Sequence, residues 1–325
     1  MNGRRAFLAA GLGLLCAGRA RASDAQVLTA AEVHVAGYPT VEAIRWLGEQ
    51  LAADTDGRWA LRLYDGGQLG RESDAAELAR HGALDLVRLS LGALNNAFPA
   101  TRVLSLPYVF DSTAHLHRVV DGDVGAEILD AFAARGLVGL AFYDSGARSI
   151  YNVRRPLRTP ADLAGLKLRV PPSDIFIATG RALGANPTPL PFGETFSALQ
   201  THLIDAAENN WPSFHSSRHF EVARYWSQTR HSYSPDVLLM SKRRWDAMPA
   251  DDRERLRTRA RESVQVARRL WDEREQASIA AAVAAGVEVG EVDLESFRAA
   301  VAPMVAEWCR DPLLARLHGA IRALA

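Results

Sequence analysis

Three stretches carry side chains placed for chemistry. Lys167-Leu-Arg-Val170 alternates charged and apolar residues, the pattern of a short half-buried strand, and Pro171-Pro172 ends it because proline supplies no ladder donor. Arg169 thus stands at the last ordinary position of that strand, where its charged planar fork can take a carboxylate through two parallel hydrogen bonds. Taken alone, it could equally snorkel to solvent. Tyr143-Asp-Ser-Gly-Ala-Arg-Ser-Ile-Tyr151 leaves a strand through a Ser-Gly turn and presents Arg148 at a crossover. A second arginine beside a cleft needs an anion or a protein acid to meet it. Asp205-Ala-Ala-Glu-Asn-Asn-Trp-Pro212 brings Asn209 and Asn210 to another strand end. Their amides offer donors and acceptors together, as a hydroxylated carboxylate requires, although they could simply shape a turn. Trp211 or Tyr151 could cover the apolar face of a sugar ring.

Other chemistries find less support. The sequence has no Gly-x-Ser-x-Gly elbow, no His-Glu-x-x-His pair and no Walker loop, and Gly11-Leu-Gly13 lies inside an N-terminal apolar run. His215 and His219 have the spacing of a zinc pair, but only Glu221 and His231 are near as further ligands, so a partly exposed helix face is the expectation and no metal or cofactor is predicted.

The elements that must position these residues follow from periodicity. Val27 to Val35 is β-rich, and after it Val41, Ile44, Leu47 and Leu51 fall at helical spacing with Thr40 as the expected cap. Trp59 to Leu63 reads as a second strand, a helix starts near Ser73, and Leu84 to Ser90 is a third strand, so a βαβαβ order predicts a parallel sheet with helices on its faces. A helix is expected over 113–134 and a strand over 137–143; a second series begins at Lys167, with helices over 173–183 and 193–203 and a strand over 204–207. Val237 to Ser241 reads as a strand returning to the first half, and Asp252 to Val283 as one long amphipathic helix. The expected fold is α/β, a two-lobed clamshell with hinge crossovers and a long C-terminal helix. Lobe I spans 23–144 and is completed by about 232–250, lobe II spans 145–231, and helices fill 251–325. Such folds hold small ligands at the carboxyl ends of their strands.

Composition narrows the partners. The 325 residues carry 38 basic and 38 acidic side chains, and this balance argues against a nucleic-acid partner. Arg4-Arg5 before an apolar run, then Ala20-Arg21-Ala22, reads as an export signal cleaved near Ala22, with a twin-arginine-like start and no membrane insertion of the mature chain. Only Cys309 then remains, so the mature chain has no intrachain disulfide.

Together these stretches carry a family resemblance. With Gly67-Gln-Leu-Gly70, Gly82-Ala-Leu-Asp85, Leu106-Pro-Tyr-Val-Phe110, Gly165 to Val170, Ala182-Leu-Gly184 and Asp205 to Asn209, the chain resembles the periplasmic substrate-binding proteins of tripartite ATP-independent periplasmic (TRAP) transporters. The resemblance implies a periplasmic, non-enzymatic receptor that closes on an organic acid and delivers it to a membrane permease. It also implies that Arg169 pairs with the ligand carboxylate, assisted by Arg148 and Asn209. Tyr143 to Tyr151 and Glu208 to Phe214 look like the subgroup that binds uronic acids, which implies Glu72, Arg88 and Asn210 as hydroxyl partners, with His34 and His231 as further candidates. His202 stands where the family usually has Gly, and Arg230 where an acidic residue is expected, a change that could alter hydroxyl recognition. A receptor for a non-sugar acid, a sensory receptor and an exported enzyme using Asp144, Glu72 or His231 are the rival readings.

Overall fold

A computed structural model describes residues 25–325; the export signal read in residues 1–22 and its cleavage site lie outside the described residues. The chain builds β1 (Gln26–Ala31), α1 (Pro39–Asp54), β2 (Trp59–Tyr64), α2 (Glu72–His81) and β3 (Leu86–Ser90) in the expected order, with β1 parallel to both β2 and β3. A single turn, α3 (Leu91–Leu94), leads to α4 (Thr113–Val120), α5 (Asp123–Ala131) and β4 (Leu137–Tyr143). A second region holds β5 (Arg148–Asn152), β6 (Lys167–Val170), α6 (Asp174–Ala182), β7 (Asn186–Pro189), α7 (Thr195–Gln200), β8 (Ala206–Asn209), α8 (Trp211–Ser216) and β9 (Tyr225–Ser232). The chain returns through β10 (Asp236–Ser241), α9 (Lys242–Ala247) and α10 (Ala250–Ala284), and ends with β11 (Glu288–Gly290), α11 (Leu294–Trp308) and α12 (Pro312–Arg322).

The two sheets have the orders β2-β1-β3-β10-β4 and β11-β9-β5-β8-β6-β7. Neither is purely parallel: β10 runs antiparallel to β3 and β4, and β5 runs antiparallel to β8 and β9. The chain passes between the sheets after Tyr143 and again after Ser232, so two short segments, 144–147 and 233–235, join the lobes.

The long helix is a third tie. Leu256, Ala260, Val264 and Ala267 share a core with Ile44, Leu47 and Leu51 of α1. Further along, Ala282 and Ile279 pack into the second lobe's core with Phe214 and Trp226. Each fully buried leucine here contributes about 1.5–3 kcal/mol. Ion pairs fix the register: Asp252 accepts from both terminal nitrogens of Arg58 at 2.8 and 3.0 Å and from Trp59 Nε1 at 2.9 Å.

Several local expectations need correction. The helix expected over 113–134 breaks at Asp121-Gly122, because the two segments pack so closely that a Cβ on Gly125 would lie 2.0 Å from the Val120 carbonyl. The helix expected over 193–203 is regular only over α7, and the strand expected over 204–207 lies two residues later, which places Glu208 and Asn209 inside the ladder. Thr40 is not a cap; it lies within α1 and its hydroxyl donates to Glu32 Oε2. His202 adopts φ 57°, the left-handed conformation that explains why glycine suits this turn. Arg230 is exposed at a register shift, so its side chain faces solvent, away from the cavity lining.

Gly146 sits in the first crossover with φ 58°, and a Cβ there would lie 2.8 Å from the Trp271 ring carbon Cζ2. Gly146→Ala should therefore cost roughly 2–4 kcal/mol in urea unfolding, left-handed strain plus overpacking. Gly57→Ala, at φ 74° with open space around it, should cost about 1–2 kcal/mol; equal losses would contradict the clash.

Candidate functional site

A cavity of about 460 Å³ opens between the lobes, the size range of small-molecule sites. The chain reaches it where strands end. Arg169 comes from the end of β6, Arg148 from the start of β5 and Asn209 from the end of β8, while Arg88 on β3, Glu72 at the start of α2 and His34 after β1 form the facing wall.

The three arginines differ in their partners. Arg148 grips Glu208 through Nε to Oε2 at 2.6 Å and Nη2 to Oε1 at 2.8 Å, and donates through Nη1 to Asn209 Oδ1 at 3.0 Å. Its charge is met by a protein acid. Burial opposes the ionised form of Glu208, but Arg148 and His231 beside it hold its carboxyl down to about 2. Arg88 is shared by Glu32, Glu72 and Asp236, with Glu32 Oε1 at 3.3 Å and Glu72 Oε1 at 3.4 Å. Arg169 is only 3% exposed, yet its Nε and Nη2 both donate to one acceptor, the Leu190 carbonyl, at 2.9 and 2.7 Å. No carboxylate among the described residues pairs with it. Burial accordingly pushes its pKa down, with the nearby acids offsetting only part of the cost.

Three carboxyls around one guanidinium cannot all ionise cheaply in a dry site. Burial, with Glu32 and Glu72 adding to it against the pull of Arg88, pushes Asp236 up to about 7. Glu32 stays ionised at about 2: burial opposes it, but Arg88 and His34 prevail. An ionised Glu32 is an acceptor only, so His34 Nδ1 donates to it at 2.9 Å. Burial keeps His34 neutral by lowering its pKa. Its Nε2 then accepts from Ser213 Oγ at 3.2 Å, and Tyr38 donates to the same oxygen at 3.0 Å. Ser213 belongs to the second lobe, so this chain of bonds crosses the cleft. Arg71 and Glu194 meet across its rim at 2.8 Å.

Arg169, Arg148, Asn209, Glu72, Arg88 and His34 all border the cavity, and three other expected residues do not. Asn210 is consumed as the cap of α8, accepting from Ser213 N at 2.7 Å and donating to Ser145 Oγ at 3.2 Å. His231 lies behind Glu208, bonded to Thr229 Oγ1 at 2.9 Å. Tyr151 is fully buried, its ring stacked on Trp226 and its hydroxyl on His219 Nδ1 at 2.8 Å. Trp211 also stacks on Trp226, so the phenyl rings bordering the cavity are those of Phe192 and Phe196 instead. His219 is not on an exposed helix face: it is buried beside the cavity, and burial together with Arg169 lowers its pKa to about 3. Among the described residues no His, Cys, Asp and Glu group is arranged to hold a metal ion.

Residues that local patterns did not single out complete the site. Glu32, Glu208 and Asp236 are the acids that meet Arg88 and Arg148, and Ser213 links the lobes. Glu208 lay within a stretch already noted, next to Asn209, and a buried arginine calling for an acid was its signal. Asp236 follows Ser-Pro in what reads as a loop, 148 residues from Arg88.

Two α/β lobes closing on a buried cationic cavity define a ligand-capturing clamshell protein. Residues 30–311 match the model for bacterial extracellular solute-binding protein, family 7, and the chain belongs to that family. A TRAP periplasmic solute-binding protein from Bradyrhizobium sp. BTAi1, solved in complex with α/β-D-galacturonate, is 48% identical with a TM-score of 0.90, covering 92% of this chain and 100% of that one. One from Citrobacter koseri, solved with D-glucuronate, is 37% identical with a TM-score of 0.88, covering 91% and 99%. The 2,3-diketo-L-gulonate-binding periplasmic protein YiaO of Escherichia coli is 33% identical over 276 residues, 83% of this chain and 84% of that protein.

The arginines make opposite predictions for the ligand-free protein. Glu208→Ala leaves Arg148 buried without its acid and should lower unfolding free energy by roughly 3–5 kcal/mol. Arg169→Met removes a charge with no acid partner and should leave stability at or above the wild type in the same denaturation series. A large loss with Arg169→Met would show that Arg169 already has its partner.

Proposed function

We propose that this chain is a periplasmic receptor without catalytic turnover that captures a uronic acid, galacturonate or glucuronate, and delivers it to a TRAP membrane permease. The observation that carries this reading is the Arg169 guanidinium, buried at the cavity without a carboxylate partner. A ligand carboxylate supplies the missing charge. Arg148 and Asn209 brace that wall, while Glu72 and Arg88 present polar groups for hydroxyls and His34, whose two ring nitrogens are bonded to Glu32 and Ser213, lines the wall. The galacturonate and glucuronate bound by similar proteins support the sugar-acid assignment. Capture proceeds by rotation of the lobes, divided near residues 144 and 232, about the two crossovers and against α10.

Calorimetric titration with D-galacturonate and D-glucuronate tests the reading. A charge-assisted hydrogen bond contributes about 1.5–3 kcal/mol, so Arg169→Ala should weaken binding at least ~10-fold. Arg169→Lys should also weaken it, because a point charge cannot reproduce the planar fork. Unchanged affinity in Arg169→Ala would remove the clamp from the mechanism, and heat only with non-sugar acids would replace the uronate assignment.

A further inference from the structure

Inward of the rim, where Glu194 sits, the free carboxylate oxygens of the cavity lie on the lobe I wall, and counting them separates structural acids from ligand-facing ones. Glu32 is spent: Oε1 accepts from the His34 backbone at 3.0 Å and from its ring, and Oε2 accepts from Thr40 at 2.6 Å. Glu72 uses only Oε1, which accepts from Ser90 N at 2.7 Å and sits 3.4 Å from Arg88 Nη1; its Oε2 carries no bond among the described residues. Asp236 uses Oδ2 on Arg88, and its Oδ1 is buried without any partner. Both residues border the cavity. A buried acceptor left open is costly unless a donor meets it.

We infer that Asp236, together with Glu72, forms an acidic wall that selects ligands presenting hydroxyl groups to it and rejects a second carboxylate. A hydroxyl donates to the open Glu72 Oε2, with the Asp236 carboxylate buried behind it, whereas a second carboxylate would set acceptor against acceptor and negative charge against negative charge. Asp236 is thus a specificity-determining residue. The inference rests on the receptor reading above and deepens it: Arg169 supplies the site for one carboxylate, and the acidic wall limits the ligand to one.

The charged and titratable groups around Asp236 are Arg88 on β3, Glu32 after β1, Glu72 on α2, Tyr38 before α1 and Arg148 on β5, with Tyr143 as its register partner on β4. The burial that lifts the Asp236 carboxyl to about 7 lets it take up a proton in mildly acidic solution, whereas burial shifts His34 the other way, against protonation. A protonated Asp236 no longer adds its charge to the wall, so the barrier to a second carboxylate falls as pH is lowered from 8 to 6.

The test is calorimetry with D-galacturonate and with two open-chain acids of equal length, D-galactonate and galactarate, which differ by one terminal carboxylate. The wild type should bind galactonate at least ~10-fold more tightly than galactarate at pH 8. Asp236→Asn should narrow that ratio to about threefold or less, and the wild-type ratio should narrow at pH 6 while that of the variant stays flat. Glu72→Gln, narrowing the ratio in the same sense, serves if Asp236→Asn does not fold, and the wild-type pH series needs no variant. Equal wild-type affinity for the two open-chain acids, or binding of neither, overturns the acidic wall while galacturonate binding leaves the receptor reading intact. Failure of every uronate to bind instead overturns that reading, with the galactonate to galactarate ratio still deciding the wall.

Discussion

A buried positive charge without a negative partner governs this structure. Arg169 is held by two hydrogen bonds to one carbonyl, which fix the direction of its fork but do not neutralise it. Taking a charge out of water costs several kcal/mol unless an opposite charge follows it. Around Arg169 the protein resolves every comparable problem internally. Arg148 has Glu208, and Arg88 has an excess of acids. Arg169 is, among the described residues of this cavity, the arginine without an acid, and it is therefore the one proposed to be completed by a ligand, its cost in the empty state being stability forgone for function.

The architecture makes that arrangement reversible. Two crossovers and α10 connect the lobes, α11 and α12 add a further link by packing on α6 and on α5, and the walls that carry Arg169 and Arg88 belong to different sheets. Beside the cavity the bonds that close the gap are polar: His34 and Tyr38 to Ser213, Asn95 to Ser173, and Arg71 to Glu194 at the rim. An exposed pair such as the last is worth at most about 1 kcal/mol. Behind them the apolar core is continuous, with Leu91, Leu94 and Phe98 of the first lobe in one cluster with Val170, Ile175 and Phe176 of the second, and ligand contacts on both walls would add to this support. The α10 helix, packed on α1 in one lobe and against Phe214 and Trp226 in the other, resists unlimited opening.

Much of this was legible in local patterns. Alternation ending at Pro171-Pro172 placed Arg169 at a strand end, and the apolar stripe of α10 was visible in its spacing. What spacing could not reveal was which polar residues spend their hydrogen bonds inside the protein. Asn210 looked as suitable as Asn209 but is used up as a helix cap, and Tyr151 points its hydroxyl at His219 within an aromatic core. The partners of Arg88 come from β1, α2 and β10, and only the folded sheet brings them together. The two-residue shift of β8 had a similar effect, since it placed Glu208 in the ladder, where it meets Arg148.

The most direct test of the central claim compares D-galacturonate with D-galactose by calorimetric titration of the ligand-free protein. The two share a ring and differ in the group that Arg169 is assigned to hold, a carboxylate against a neutral hydroxymethyl. An unpaired buried arginine predicts that galacturonate binds at least ~100-fold more tightly, since leaving a buried charge unmet costs about 3 kcal/mol or more. Comparable affinities for the acid and the neutral sugar would show that the charge of Arg169 is already satisfied, and would contradict the account at its base.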